Sequence, residues 1–364
     1  MPAPPTAGRI AVIRLGAVGD VVRTLPAVSA LRVGYARARI TWIVEPAAAP
    51  LLASQPWIDD VLVFPRPDLV ALARGRRPTE VLVALRGFLR ELRARRFDLV
   101  VDFHSILKSG LLSLASGAPV RVGYARPYGR EGAWLLAGER ARLVPGRCSR
   151  FVRNAALVEF LGLVSAPDPE PLRVPSAHAE AMEGALAGTR PVVLHPGTSD
   201  GTPYKRWLPE GYARVAKDLA RECGVDVIVT AGPARDDRLL AAAIVSASGG
   251  AARAAPETGS LLDLAALFAA SRLYVGGDTG PMHVASLVGT PVVQLLGPTD
   301  PVENAPFDAT PSRTVRVPVA CAPCRRGCAA ATCMRLIPSG RVVAAARELL
   351  AAGEGAGADR QAAS

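Results

Sequence analysis

A short polar turn near residue 278 contains residue types that bind phosphate groups. The apolar segment Leu273–Gly277 runs directly into Asp278, Thr279 and Gly280, and His283 follows one helical turn later. This pattern predicts a strand, a tight turn and the start of a helix. Free backbone N–H groups and the helix dipole at such an N-terminus favour an anion. We therefore expect the turn to bind the diphosphate of a nucleotide, with His283 as a neutral hydrogen-bond donor.

A second candidate phosphate site combines a hydroxyl group with a cation. Thr198 follows the predicted strand 191–195 in a Pro-Gly-Thr turn, and Lys205 comes seven residues later. Both side chains could contact phosphate oxygens. Taken alone, Lys205 is also consistent with an ordinary surface lysine, but its loop and the neighbouring Trp207 favour ligand binding.

Asp20 is the candidate for acid–base chemistry. It follows the first predicted strand, residues 9–15, in a turn that contains Gly16 and Gly19. A carboxylate there could act as a general base, or it could cap the predicted helix 21–33. The residues alone leave both roles open. The turn lacks the G-x-G-x-x-G dinucleotide fingerprint, and the chain has no G-x-x-x-x-G-K-[ST] phosphate loop.

Four of the six cysteines lie close together near the C-terminus, at Cys321, Cys324, Cys328 and Cys333. Dense thiols in a reducing compartment suggest metal binding or redox chemistry more than disulfides. The spacing is more compact than that of the usual separated zinc knuckles. Four free thiols in a loop remain the alternative interpretation.

The length and composition indicate a two-domain cytoplasmic protein. A chain of 364 residues, half of them hydrophobic, exceeds one typical domain. It has no uncharged apolar run of transmembrane length, and its first residues lack the apolar core of a signal peptide.

Strands and helices alternate along the chain, which predicts doubly wound parallel sheets. A proline-rich stretch, residues 166–171, marks the expected domain boundary. We predict an N-terminal domain over 1–165, a C-terminal domain over 172–350 and a disordered tail over 353–364. The principal predicted strands are 9–15, 40–44, 61–64, 99–103, 120–124, 191–195 and 225–230. The principal predicted helices are 21–33, 47–54, 79–95, 105–116, 150–161, 209–222 and 261–270.

Positive charge is concentrated in the first half of the chain. Residues 1–165 contain 24 basic and 12 acidic side chains, whereas the remainder is nearly neutral. This asymmetry suggests an anionic partner such as phospholipid headgroups, a phosphorylated glycolipid or nucleic acid. The alternative is that arginine is simply the common surface residue of this chain.

Three segments together resemble glycosyltransferase family 9, the ADP-heptose:lipopolysaccharide heptosyltransferases. The first is Arg-Ile-Ala-Val-Ile-Arg-Leu-Gly-Ala-Val-Gly-Asp, ending at Asp20. The second is His-Pro-Gly-Thr ending at Thr198, followed by Lys-Arg-Trp-Leu-Pro from Lys205. The third is Gly-Asp-Thr-Gly-Pro-Met-His, ending at His283, which continues to Leu-Gly-Pro-Thr-Asp-Pro. They occur in the family's order and span most of the chain.

The resemblance implies a GT-B fold, with two Rossmann-like lobes whose parallel sheets face an interdomain cleft. It also implies inverting transfer of a heptose from ADP-heptose to a lipopolysaccharide inner-core acceptor, with Asp20 as the general base. The implied donor-binding residues are Thr198, Lys205, Asp278, Thr279, Gly280 and His283. The candidate acceptor-binding residues in the basic lobe are Arg74, Arg76, Arg77, Arg90 and Arg93.

The partners that this implies are a sugar nucleotide, an anionic glycolipid and the cytoplasmic surface of the inner membrane, to which the protein would attach peripherally. No cofactor, bound metal or nucleic acid is expected, since GT-B enzymes typically stabilise the departing diphosphate with cations and helix N-termini.

Two features depart from the family pattern, and alternatives remain. The loop between Thr198 and Lys205 departs from the family's loop and leaves more than one phosphate register open, and Asp236 or Asp237 stands where many members place a glutamate. The donor could therefore be another sugar nucleotide. A sugar-nucleotide epimerase of the same fold, or a non-catalytic basic binding protein, are the alternatives from other classes.

Overall fold

The structure is a computed structural model that describes residues 4–143, 146–164, 171–199, 201–324 and 327–362. By its internal contacts the chain divides into two units, Met1–Arg173 and Val174–Ser364. Most of the proline-rich stretch that predicts the domain boundary lies outside the described residues. We describe each unit by itself.

The first unit is a six-stranded parallel sheet with helices. Its strands are β1 (Arg9–Ile13), β2 (Arg39–Val44), β3 (Asp60–Val63), β4 (Leu99–Asp102), β5 (Val120–Tyr124) and β6 (Glu139–Ala141). Its helices are α1 (Val18–Val22), α2 (Leu25–Gly34), α3 (Ala49–Ala53), α4 (Arg66–Arg74), α5 (Pro78–Ala94), α6 (Leu107–Ala115) and α7 (Arg150–Phe160).

The second unit repeats this architecture. Its strands are β7 (Val192–His195), β8 (Val227–Val229), β9 (Arg253–Ala254), β10 (Leu273–Gly277), β11 (Val292–Leu295) and β12 (Ser312–Val315). Its helices are α8 (Ser176–Ala185), α9 (Pro209–Cys223), α10 (Arg235–Ala247), α11 (Leu261–Ala269), α12 (Gly280–Leu287), α13 (Thr332–Arg335) and α14 (Ser339–Ala362). The last helix includes most of residues 353–364, for which the sequence predicts a disordered tail.

Both sheets have the same strand order. The first runs β3-β2-β1-β4-β5-β6, and the second runs β9-β8-β7-β10-β11-β12. Each is therefore the 3-2-1-4-5-6 arrangement of Rossmann folds, which bind ligands beyond the carboxyl ends of the strands where the order reverses. That position lies between β1 and β4 in the first sheet and between β7 and β10 in the second. The predicted α/β class with two Rossmann-like sheets is confirmed.

Local sequence signals explain several element boundaries. The side chain of Ser260 accepts a hydrogen bond from the backbone of Asp263 and caps α11, as predicted. Gly224 ends α9 in the left-handed conformation, with φ 61°. The single helix predicted over 21–33 is wrong in one respect, because the chain forms α1 and α2 instead. Pro26 lies in the first turn of α2, where proline is tolerated, and it disfavours continuous helix before it.

The core of each unit lies against its sheet. Ile10, Ala11, Val12 and Ile13 of β1 are fully buried, as expected for a central parallel strand covered on both faces. Leu92 and Phe88 of α5 pack against one face of this sheet. Among the helices of the described ranges, none combines the length and apolar character needed to cross a bilayer.

Candidate functional site

Asp20 lies beyond the carboxyl end of β1, within α1, and it is surrounded by three guanidinium groups. Its carboxylate pairs with Arg14, with Arg23 at 2.5 Å and with Arg150 at 2.7 Å. The alternative role of N-cap is wrong, because Asp20 lies in the first turn of α1 and Ala17 occupies the cap position. The carboxylate instead forms the centre of an ion-pair cluster, which we call the Asp20 cluster.

Two of the three arginines are also tied to the backbone. Arg14 donates to the carbonyl of Phe103 at 3.0 Å, and Arg23 donates through Nε to the carbonyl of Gly19 at 3.1 Å. Both are buried, whereas the side chain of Arg150 retains 29% of its exposure. Arg150 is therefore the member of the Asp20 cluster that an approaching ligand can reach most easily.

The Asp20 cluster determines the charge state of the carboxylate. Burial alone would raise the pKa of Asp20, but Arg14, Arg23 and Arg150 outweigh it and hold that pKa well below its usual range. Asp20 is consequently ionised at neutral pH and available as a proton acceptor, although its basicity is weakened.

Asp102 and His104, which the sequence reasoning missed, lie at the adjacent end of β4. Burial raises the pKa of Asp102 to about 6, although its carboxylate accepts hydrogen bonds from Ser105 and from Ser109. Burial lowers the pKa of His104 to about 3. The carboxyl end of β4 lies next to that of β1, where the strand order reverses and a ligand site is expected. Nothing in the local sequence, however, distinguishes Asp102 and His104 from residues at other strand ends.

Lys205 and Asp278 meet at the carboxyl edge of the second sheet. Lys205 Nζ lies 2.9 Å from Asp278 Oδ2 and 3.2 Å from the Asp278 carbonyl oxygen. The Thr299 hydroxyl donates to the same carboxylate at 2.7 Å, and His283 Nε2 lies 3.6 Å from Oδ1. The structure thus brings three predicted donor-binding residues together, with Asp278 holding the lysine in position.

Thr198 is held by a neighbouring arginine. Arg206 donates to Thr198 Oγ1 at 3.1 Å and to Asp237 Oδ1 at 2.9 Å. Asp237 is buried in this pairing, whereas Asp236 is exposed. The sequence did not predict Arg206 as the partner of Thr198, because Lys205 and Arg206 are adjacent and their order does not show which cation contacts Thr198.

The turn after β10 forms as predicted, and its backbone is tightly packed. Thr279 is the N-cap of α12 and Gly280 its first residue. A Cβ on Gly276 would lie 2.5 Å from Tyr274 Oη and 2.8 Å from the carbonyl oxygen of His195. Trp207, by contrast, is a core residue that donates to the carbonyl of Ile337 and does not support a ligand contact of its own.

Residues 85–334 match the profile of glycosyltransferase family 9 (heptosyltransferase). The chain belongs to glycosyltransferase family 9. Its sequence is 26% identical over 305 residues to the lipopolysaccharide core heptosyltransferase OpsX of Haemophilus influenzae, with 82% of each chain covered. It is 30% identical over 313 residues to lipopolysaccharide heptosyltransferase 2 of Escherichia coli K12, covering 82% of this chain and 85% of that protein.

The fold of this family 9 glycosyltransferase is also similar to that of the E. coli heptosyltransferase WaaC. The WaaC structure with ADP aligns with a TM-score of 0.74 at 19% identity and covers 94% of this chain and 99% of that one. The WaaC structure with ADP-2-deoxy-2-fluoro heptose aligns with a TM-score of 0.69 at 20% identity, covering 85% and 93%. The predicted GT-B fold and glycosyltransferase class are confirmed.

The structure of the glycosyltransferase does not bring the predicted acceptor arginines into the Asp20 cluster. They lie instead on a helical hairpin, at the end of α4, in the turn that follows and on α5. All five are exposed, and no residue of α4 is buried. This hairpin set consists of Arg74, Arg76, Arg77, Arg90 and Arg93.

For the cysteine segment of the glycosyltransferase, residues 321–333, the suggested metal-binding or redox role stays a prediction. Cys333 is buried against the second core, whereas Cys321 and Cys328 are exposed. Across the described ranges, no three His, Cys, Asp or Glu side chains are grouped so that they could hold a metal ion. Residues 325–326, inside the cysteine segment, lie outside those ranges.

Proposed function

We propose that this chain transfers a heptose from ADP-heptose to an inner-core lipopolysaccharide acceptor with inversion, and that Asp20 is the general base. Membership of the heptosyltransferase family supports the reaction class. The similar WaaC structure with an ADP-heptose analogue supports the choice of donor, and OpsX and heptosyltransferase 2 support the choice of acceptor.

The observation that carries the proposal is the matching placement of two charged centres. Asp20 follows β1. In the pair of Lys205 with Asp278, Lys205 comes from the segment after β7 and Asp278 follows β10, so each centre borders the point where its sheet reverses strand order. A carboxylate on one unit and a cation with a helix N-terminus on the other are what an inverting displacement requires.

The proposed reaction is a single displacement. Asp20 accepts the proton of an acceptor hydroxyl, while the oxygen of that hydroxyl forms a bond to C1 of the donor heptose. The bond between C1 and the diphosphate oxygen breaks, and its electron pair leaves with ADP. Lys205 and the N-terminus of α12 stabilise the negative charge of the departing diphosphate.

Donor contacts are proposed for the remaining residues of the second unit. Thr198 and Lys205 bind phosphate oxygens, Asp278 positions Lys205 and the donor sugar, and Thr279, Gly280 and His283 support the diphosphate. Lys205 is near enough to Asp278 to be oriented before the donor arrives, which reduces the entropy lost on binding.

Asp20 has to become a stronger base when the acceptor binds. Three guanidinium groups weaken the carboxylate as a base, and Arg150 is the most exposed of them. A negative group on the acceptor that draws Arg150 away would strengthen Asp20 as the acceptor binds. We propose that the hairpin set of arginines contacts the anionic acceptor at the cytoplasmic surface of the inner membrane, where the protein attaches peripherally.

The test is ADP release from ADP-heptose with and without a heptose-deficient inner-core acceptor. Release that depends on the acceptor, with a mass increase of one heptose on that acceptor, is the expected result. ADP-glucose serves as the control donor. Equal release without acceptor would contradict the transfer reaction, and transfer from ADP-glucose but not from ADP-heptose would contradict the choice of donor.

A further inference from the structure

Asn154 is a polar residue on the apolar face of α7. The buried side chains of this helix are Phe151, Asn154, Leu157 and Val158, which recur at the spacing of one helix face. Asn154 is 4% exposed, and apolar residues usually occupy such positions. Asparagine also lowers helix propensity, and its amide is costly to bury unless it is hydrogen-bonded. Packing alone therefore does not account for this residue.

The amide of Asn154 is hydrogen-bonded through both of its polar atoms. Its Nδ2 donates to the carbonyl oxygen of Arg23 at 3.0 Å and to Thr24 Oγ1 at 3.1 Å. Its Oδ1 accepts from the hydroxyl of Tyr124 at 3.0 Å. Burial raises the pKa of Tyr124 to about 13, so this hydroxyl keeps the proton that it donates. Because Arg23 and Thr24 lie between α1 and α2 and Tyr124 ends β5, one side chain ties α7 to both places.

The junction between α1 and α2 belongs to the Asp20 cluster. Arg23, whose carbonyl oxygen accepts from Asn154, pairs with Asp20 through its guanidinium group. Thr24, the other acceptor, donates through its hydroxyl to the carbonyl oxygen of Asp20 at 2.8 Å. Asn154 is thus connected to the proposed base through two intermediate residues.

Arg150 lies on the same side of α7, one turn before Asn154. Residues four apart on an α-helix share a face and are separated by about 6 Å along its axis. Arg150 is the first residue of α7 and donates to Asp20 Oδ1 at 2.7 Å. A helical turn moves as one piece, so the hydrogen bonds of Asn154 also determine where the backbone of Arg150 lies relative to Asp20.

We propose that Asn154 is a positioning residue for the Asp20 cluster. Its amide holds α7 on the junction of α1 and α2, and this keeps Arg150 in contact with the Asp20 carboxylate. An apolar residue at position 154 could fill the space, but its packing is not directional, whereas hydrogen bonds fix one arrangement of the helix. The inference rests on the proposed function, in which Arg150 controls the basicity of Asp20.

The first experiment follows Arg150 without turnover. Phenylglyoxal modifies accessible guanidinium groups, and peptide mass spectrometry of the full chain measures the rate at each arginine. We expect Asn154→Ala to raise the rate at Arg150 about fivefold, because the loss of a typical hydrogen bond shifts such an equilibrium by this factor. Arg37, which is exposed in the same unit, is the internal standard. An unchanged rate at Arg150 overturns the inference.

The matched control is Val158→Ala, which removes apolar volume from the same face of α7 one turn beyond Asn154. This variant should melt at a lower temperature because it leaves a cavity. Well below that temperature, its rate of modification at Arg150 should equal that of the unaltered protein. Equal increases at Arg150 in the two variants would mean that Asn154 only stabilises the helix, which overturns the inference.

The second experiment asks whether Asn154 affects transfer through Arg150. We expect Asn154→Ala to lower kcat/KM for the acceptor about tenfold, with the donor KM unchanged within about twofold, because a small displacement of groups around the base is costly. In the Arg150→Gln background the same substitution should change kcat/KM by less than about twofold. Val158→Ala should change neither constant. Effects of Asn154→Ala and Arg150→Gln that multiply overturn the inference.

Tyr124→Phe tests the same prediction if Asn154→Ala does not fold. It removes only the hydroxyl group that donates to Asn154 Oδ1. We expect faster modification of Arg150 and a lower kcat/KM, each by a smaller factor than for Asn154→Ala, and no change in either overturns the inference. Absence of any transfer by the unaltered protein contradicts the proposed function alone, because the modification rates test the position of Arg150 independently.

Discussion

Asp20 contributes the one negative charge that faces three positive charges, so the same carboxylate affects both the chemistry of the site and the stability of the fold. Arg14 and Arg23 are buried and bonded to backbone carbonyls, so neither can leave the cluster easily. Removing the carboxylate would leave buried cations without a counter-charge, and this is costly for a protein. The same residue is therefore expected to affect both the reaction rate and the folding of the first unit.

Asp20→Asn is expected to lower kcat by about 10²–10⁴-fold, the usual contribution of a general base. The amide cannot neutralise Arg14, so we also expect a lower melting temperature. Rates should be measured well below that temperature, with Asp68→Asn, an exposed carboxylate on α4, as the control. A kcat for Asp20→Asn within about threefold of that of the unaltered protein would exclude Asp20 as the base, because the loss of a general base should lower kcat much more than this.

His195 makes stability depend on pH. Burial lowers its pKa to about 4, from a usual value near 6.5, and its Nδ1 lies 2.8 Å from the Thr230 hydroxyl. Between these pH values the unfolded chain binds a proton that the folded chain does not, so stability falls as the pH is lowered. At pH 4 this amounts to about 3 kcal/mol for His195.

The pH prediction is checked with His195→Asn. Asp102 contributes in the opposite direction, because its raised pKa favours the folded state at low pH, so the total curve alone is not informative. We expect the difference in unfolding free energy between the unaltered protein and the variant to shrink as the pH falls from 7 to 4. Urea titrations at several pH values measure it, and a constant difference would contradict the prediction.

The elements of this fold were more predictable than their contacts. Apolar runs identified β1, β2 and β4, since central parallel strands are mostly apolar. Strand β5 was identified although Arg121 interrupts its apolar residues. The short edge strand β6 was missed because Glu139 and Arg140 leave it no apolar run. Helix α4 was missed for a similar reason, as no residue in it is buried.

Partners that are distant in sequence could not be inferred in the same way. The turns that hold Asp20, Thr198 and Asp278 follow from local patterns at strand ends. Arg150, however, is 130 residues from Asp20, and its pairing depends on where α7 lies in the folded unit. The sequence shows that such an arginine is charged, but it does not show which residue the arginine contacts.

At the level of elements, the packing around β10 should tolerate no added side chain. Gly276→Ala is expected to destabilise the protein by about 1–3 kcal/mol, because the methyl group would overlap Tyr274 and the His195 carbonyl. Gly87→Ala is the control, since no atom lies within 4 Å of its added Cβ on α5, and it should stabilise by about 0.5–1 kcal/mol. Thermal melts of both variants make the comparison, and equal effects would contradict the packing argument.

For the whole molecule, charge is divided unevenly between the two halves. The basic excess of residues 1–165 creates a field that attracts anionic surfaces, and salt screens it beyond about 10 Å at 0.1 M. The hairpin set is exposed on α4, on α5 and in the turn between them, and Leu82 and Val83 of α5 are exposed as well. These features together are typical of contact with a membrane surface.

Substitution of Arg74, Arg76 and Arg77 by Gln is expected to weaken sedimentation with phosphatidylglycerol vesicles. Each arginine near such a surface contributes about 1 kcal/mol, so affinity should fall by about a hundredfold. The control replaces Arg190, Arg235 and Arg335, which are exposed in the second unit, and should bind as the unaltered protein does. Equal losses in both variants would mean that total charge, and not this hairpin, determines binding.

The pairing of Asp20 with Arg150 has a consequence for how the protein is made. The ribosome completes β1 and α1 long before it reaches α7, and at about 5–20 residues per second the interval lasts several seconds. Throughout that time the nascent chain contains the proposed base without its most exposed partner. The Asp20 cluster can therefore form only when the first unit is nearly complete, and a chain released before Arg150 would carry the family's first motif without the site that the motif serves.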